Sequence, residues 1–254
     1  MTAKSENMAT NGVSNGVKNG GAKIEGIENV QETDSGAYLA NYRAHKKGIS
    51  HEEMVKAYSD WANNYDVDLC PGRYNGPEIA GDALADHFPA DQRSSVKILD
   101  VAAGTGRVGH ELHKRGFKLI DALEPSPGML EVLSGRNIYQ EKFETPIGYD
   151  AVEAIPPNSY DALVIAGGMG EGHIPVQAVD EMIRVVKPGG IVVIVMREEY
   201  LSYVQEYVDK LEPYMDDLEA KSQWKRLSRY IVPEYSFNKN GVVFKYEVIN
   251  SNGA

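Results

Sequence analysis

The segment Lys97-Ile-Leu-Asp-Val-Ala-Ala-Gly-Thr-Gly-Arg-Val-Gly109 passes from an aliphatic run into small residues and then into the helical spacing Val108, Leu112. An apolar run broken by glycines and resumed at that spacing predicts a strand, a tight turn and a helix. Such a turn leaves the first amides of the helix unpaired above the carboxyl edge of a sheet, and glycine lets a ligand come close to that backbone. A ligand site is expected here. Gly104-Thr-Gly106-Arg-Val-Gly109 also fits the dinucleotide pattern G-x-G-x-x-G. Asp100 argues against that ligand. Ending the strand four residues before Gly104, its carboxylate would face a pyrophosphate of about two negative charges, a costly repulsion in a partly dry site. A cationic ligand suits the turn better.

Composition narrows the choice. The chain has 254 residues, 42% of them hydrophobic, enough for one good core. Residues 1–49 are rich in Asn, Gly, Ser, Lys and Glu, with Asn11-Gly12, Asn15-Gly16 and Asn19-Gly20 and no apolar period; they read as a disordered leader, and residues 50–254 as one domain. Deleting residues 1–45 is therefore expected to leave folding and activity intact. The single cysteine, Cys70, excludes an internal disulfide and a cysteine metal cluster, and with no signal peptide or membrane-length apolar run it points to a cytoplasmic protein. No metal is expected. Net charge is -11. No basic stripe or tail is present to release counterions, so neither nucleic acid nor an anionic membrane is an expected partner.

Ser50 and Glu53 form a capping box before Met54, Tyr58, Trp61, Ala62 and Tyr65, which recur at helical spacing. Cys70 to Pro77 reads as a loop and Glu78 to Phe88 as a helix. After the glycine turn, a helix from Val108 is expected to end at Gly116, and Phe117 to Leu123 to form a second strand ending in Glu124. Glu124 lies 20 residues after Gly104, where an acid can accept both hydroxyl protons of a ribose. Ser126 and Pro127 are an N-cap and first helical residue, followed by Met129. A third strand lies between Ile138 and Ile147, and Tyr160 to Ala166 is a buried parallel strand running into Gly167-Gly-Met-Gly-Glu-Gly-His173. That second glycine loop should face the same crevice and hold the acceptor. A helix from Pro175, the turn Lys187-Pro-Gly-Gly190 and a fifth strand Ile191 to Met196 follow. Leu201 to Leu218 is amphipathic at helical spacing and divided by Pro213; Ser228 to Pro233 and Val242 to Ile249 form a hairpin with a turn signal at Asn240-Gly241.

Asp100-Val-Ala102-Ala-Gly104-Thr-Gly106, with Glu124, Pro125 to Met129, Asp150 and Lys187 to Gly190, resembles the motif set of class I S-adenosylmethionine-dependent methyltransferases. Within them, Tyr58-Ser-Asp-Trp-Ala62 and Gly167 to His173 are similar to the methyltransferase-like group named after the Williams-Beuren syndrome region. The resemblance implies an α/β fold: a Rossmann-like, seven-stranded, mostly parallel sheet with a C-terminal antiparallel hairpin and helices on both faces. It implies S-adenosylmethionine as cofactor, contacted by Tyr58, Tyr65, Asp100, Ala102, Gly104, Gly106, Glu124, Pro125, Met129, Asp150, Ala151 and Ala166. Ala102 stands where the family's first glycine usually lies, a mild change if its φ is negative. Tyr74, Gly168, Met169 and His173 are the candidate acceptor contacts.

The expected chemistry is in-line transfer of a sulfonium methyl, driven by holding the nucleophile near the methyl in a water-excluding site. His173 is the candidate general base, since an imidazole titrates near operating pH. A small neutral or cationic acceptor with a nitrogen or oxygen nucleophile fits the acidic domain. Two other readings stay open at this level: a cofactor-binding partner protein without catalysis, which would dock through Leu201 to Leu218, and a nicotinamide oxidoreductase, which would not need Asp100.

Overall fold

Residues 35–250 are described in a computed structural model of the chain. In chain order the helices are α1 (Ser35–Ala44), α2 (His51–Asp68), α3 (Gly76–Ala85), α4 (Arg107–Lys114), α5 (Pro127–Ser134), α6 (Ala178–Val185), α7 (Tyr200–Tyr203) and α8 (Leu211–Ala220). The strands are β1 (Lys97–Val101), β2 (Leu119–Leu123), β3 (Lys142–Phe143), β4 (Tyr160–Ala166), β5 (Val186–Arg197), β6 (Trp224–Ser236) and β7 (Lys239–Val248), in the sheet order β3-β2-β1-β4-β5-β7-β6. The first five run parallel, while β7 is antiparallel to both β5 and β6. Chain order reverses between β1 and β4, so a crevice opens at the carboxyl ends of those two strands.

The apolar runs are continuous because both sheet faces are covered. Leu99, Val101, Leu163, Ile165, Val192 and Ile194 pack under α6 and α8, whereas Ile98, Ile120, Val164 and Val193 pack under α3, α4 and α5. The period of two thus sends alternate residues of each strand into two cores. Local start signals act as expected: Ser50 and Glu53 form the capping box of α2, and Ser126 caps α5 through the Met129 amide. Among the described residues no helix is long and apolar enough to cross a membrane.

Three expectations are corrected. Of the leader expected over residues 1–49, residues 1–34 lie outside the described residues, but residues 35–44 form α1 and bury Ala37, Tyr38 and Ala44. The amphipathic segment breaks between Tyr203 and Leu211, not at Pro213. Pro213 sits in the first turn of α8, where its missing N–H has no intrahelical partner to lose. The hairpin turns at Phe237 and Asn238, both at positive φ (47° and 59°), and Asn240-Gly241 lies within β7. Two consecutive left-handed residues twist the chain in the sense that flanking strands require, so the pairing of β7 with β5 sets the register over the Asn-Gly signal. The third strand is real but only two residues long.

Candidate active site

The glycine turn after β1 is more contorted than its composition suggests. Ala102 (φ 52°), Gly104 (φ 56°) and Gly106 (φ 83°) all adopt left-handed backbone. Glycine does so freely, but at Ala102 the Cβ crowds the carbonyl, costing about 1–2 kcal/mol. The condition under which alanine would be a mild change here, a negative φ, is not met. A Cβ at Gly104 would meet nothing within 4 Å, because this residue opens onto a cavity of about 800 Å³.

Glu124, only 6% exposed at the end of β2, forms the adjoining wall. The Gly104 amide donates to its Oε2 (2.8 Å) and the Ser126 amide to its Oε1 (2.8 Å). One carboxylate thus ties the glycine turn to the α5 cap and keeps lone pairs on both oxygens for further donors. Burial pushes its carboxyl up to about 7, against the pull of those two amides. Asp100 is placed differently from the sequence expectation. Its fully buried carboxylate turns away from the cavity wall and under the turn, where Oδ2 accepts from the Tyr139 hydroxyl (2.6 Å). The Gly109 amide of α4 in turn donates to Tyr139 Oη (3.1 Å). Strand alternation aims Asp100 at the α4 side, so it braces the turn from behind.

α2 lies across the mouth of the crevice. A Cβ at Gly128 would come within 2.7 Å of the Ser59 backbone, so glycine there lets α2 sit directly on α5. Asp66 on α2 accepts from Thr105 Oγ1 and from Arg136, which also holds the Thr105 carbonyl. This brings Tyr58 and Tyr65 to the cavity wall, where burial raises both hydroxyls above their usual range.

Of the residues singled out in the sequence, Tyr58, Tyr65, Ala102, Gly104, Glu124, Pro125, Met129, Asp150, Ala151, Ala166, Gly168 and His173 line this one cavity. Asp100, Gly106, Tyr74 and Met169 do not. Tyr74 is buried against Tyr235, its ring centroid 5.4 Å away, and Arg107 lies over its ring, while Met169 is core. Sequence reasoning missed the outer wall: Ile49 just before α2, His51 and Met54 at its start, Pro175 after the second glycine loop, and Val204 to Glu206 after α7. His51 and Met54 carried a signal, since they lie on the same helix as Tyr58; Val204 to Glu206 carried none. His45, which precedes α2, stacks on His173 with ring centroids 4.5 Å apart. Among the described residues the cavity wall carries four carboxylates, Glu124, Asp150, Glu171 and Glu206, and no lysine or arginine.

Residues 98–190 match the family described as methyltransferase domain. Methyltransferase-like protein 27 of Homo sapiens is 35% identical over 175 residues, which span 69% of this chain and 69% of that protein. A demethylmenaquinone methyltransferase of Clavibacter sepedonicus is 29% identical over 174 residues, or 58% of this chain and 70% of that protein. The solved 1,6-didemethyltoxoflavin-N1-methyltransferase of Burkholderia thailandensis, with 1,6-didemethyltoxoflavin and S-adenosylhomocysteine bound, superposes with a TM-score of 0.52 at 15% identity, covering 80% of this chain and 92% of that one.

Proposed function

The chain belongs to the S-adenosylmethionine-dependent methyltransferases, and on that premise we propose that its acceptor is a small neutral or cationic molecule methylated on nitrogen or oxygen. The charge of the cavity wall carries this reading: among the described residues it bears four carboxyl side chains and no lysine or arginine, which would hold cations and repel an anionic acceptor. Its volume of about 800 Å³ suits a cofactor with a second small molecule beside it. A cytoplasmic setting belongs to the same proposal, on the single free cysteine.

The residues present fit the cofactor. Glu124 keeps free lone pairs at the distance from the glycine turn at which a ribose diol would donate to it, and Gly104 leaves backbone open beside it. Met129, Pro125, Asp150 and Ala151 would hold the adenine end, and Ala102, Gly104, Ala166, Tyr58 and Tyr65 the methionine end. S-adenosylmethionine, when bound, supplies an electrophilic methyl on a sulfonium. Around that methyl the chain contributes position and dryness: α2 covers the crevice, and Gly168 with His173 borders the space from which a nucleophile would approach. His173 is the base on this side of the cavity. Burial pushes its imidazole down to about 4, below the operating pH expected from the sequence, so at pH 7 it is neutral, with a free lone pair but weak basicity. A radiolabelled methyl-transfer assay on small-molecule, RNA and protein extracts in parallel tests the proposal. Label is expected in the small-molecule fraction, and label confined to the macromolecules would overturn it.

A further inference from the structure

His173 has one basic atom, and it does not face the cavity unaccompanied. Its Nδ1 lies 2.7 Å from the Glu171 carbonyl oxygen. A carbonyl only accepts, so Nδ1 carries the ring proton and Nε2 the lone pair. Nε2 is 2.9 Å from the Tyr58 hydroxyl, which must then be the donor. The ring plane is held by the stack on His45, whose own Nδ1 lies 2.9 Å from the Asn41 carbonyl. Tyr58 and His173 both line the cavity, and the Tyr58 hydroxyl is the group that occupies the lone pair of the base.

We propose that Tyr58 is a catalytic residue as well as a cover for the cofactor: its oxygen receives the acceptor's proton while its own proton passes to His173 Nε2. This rests on the reading that the acceptor is a protic nitrogen or oxygen. The step balances in atoms and charge. As the acceptor's X–H bond breaks and its X–CH₃ bond forms, the electron pair of the broken C–S bond stays on sulfur. The acceptor proton joins Tyr58 Oη, and the phenolic proton joins Nε2. One positive charge therefore moves from the sulfonium to the imidazole, and the phenol is neutral before and after. No phenolate forms, which suits a hydroxyl that burial makes hard to ionise. The imidazolium then returns its proton to water.

The test uses the full chain with S-adenosylhomocysteine and ¹⁵N-labelled histidine, with the His173 signals assigned from His173→Asn. Long-range ¹H–¹⁵N spectra are expected to show Nδ1 protonated and Nε2 bare but hydrogen-bonded. In Tyr58→Phe, Nδ1 stays protonated and Nε2 moves to the frequency of a free imidazole nitrogen. A protonated Nε2 in the wild type, or no movement in the variant, overturns the relay whatever the acceptor is. A second arm follows single-turnover transfer to the small-molecule fraction that the wild type labels. Tyr58→Phe is expected to slow transfer by about 100-fold or more, with a much smaller loss of calorimetric affinity for S-adenosylhomocysteine. A loss of affinity equal to the loss of rate makes Tyr58 a cofactor contact only and overturns the proposal. Absence of label in that fraction with the wild type defeats the small-molecule reading instead, and the spectra still decide the relay.

Discussion

Cofactor affinity is expected to depend on pH through Glu124. In the free protein burial holds this carboxyl at about 7, well above the ordinary 4.5. The sign for stability follows. Between 4.5 and 7 the native state holds a proton that the unfolded chain has released, so this group lowers stability as pH rises, by about 3 kcal/mol across the window. Hydroxyl donors from a ribose reverse the balance, because they favour the ionised form. Binding therefore expels a proton: about half a proton per cofactor at pH 7, where half of the free sites are protonated, and close to none at pH 8.5. Affinity should be level above pH 8 and fall about tenfold per pH unit below 6.5. Calorimetric titration of S-adenosylmethionine in buffers of different ionisation enthalpy reads the proton directly. Asp100, which burial also raises to about 7, faces Tyr139 outside the cavity and should titrate with little effect on affinity. Glu124→Gln separates the two: it should bind weakly at pH 8 and lose the proton release. A wild-type affinity that is flat from pH 5.5 to 8, with no buffer dependence, would refute the reasoning.

Three further outcomes are expected. Ala102→Gly removes a left-handed strain of about 1–2 kcal/mol against a glycine entropy cost of about 0.5–1 kcal/mol, so urea unfolding should show a gain of up to about 1.5 kcal/mol, and a loss would contradict the assigned backbone. Tyr139→Phe strips Asp100 of its hydroxyl donor in a fully buried place and should destabilise by about 1–3 kcal/mol; unchanged urea unfolding would show that Asp100 does not need it. Deleting residues 1–45 removes α1 and His45, exposes what Tyr38 and Ala44 cover, and should lower Tm by about 4–8 °C for some 2 kcal/mol of lost burial; an unchanged Tm would restore the dispensable leader that composition suggests.

What could be read from the sequence was local chemistry. The capping box at Ser50, the cap at Ser126, the glycine turn and the spacing from Gly104 to Glu124 each depend on residues near one another in the chain. What could not be read depends on partners far away. α1 carries apolar residues but no one-sided helical stripe to announce itself, and is defined by what it buries, Tyr38 resting edge-on against Phe237. The hairpin turn was misplaced because β5 chooses the register of β7. Asp100 was assigned to the ligand because composition identifies a carboxylate at a strand end without saying to which face it points; Tyr139, 39 residues later, claims it. Val204 to Glu206 and His45 reach the site through loops whose paths no periodicity encodes.

The unbalanced charge of the cavity wall bears on turnover as well as on selection. Methyl transfer strips the donor of its sulfonium charge, so the spent cofactor is less cationic by one unit than the molecule that entered. A wall bearing Glu124, Asp150, Glu171 and Glu206, with no lysine or arginine to compensate, grips the fresh form more firmly than the used one. On charge alone, exchange of one for the other thus runs downhill.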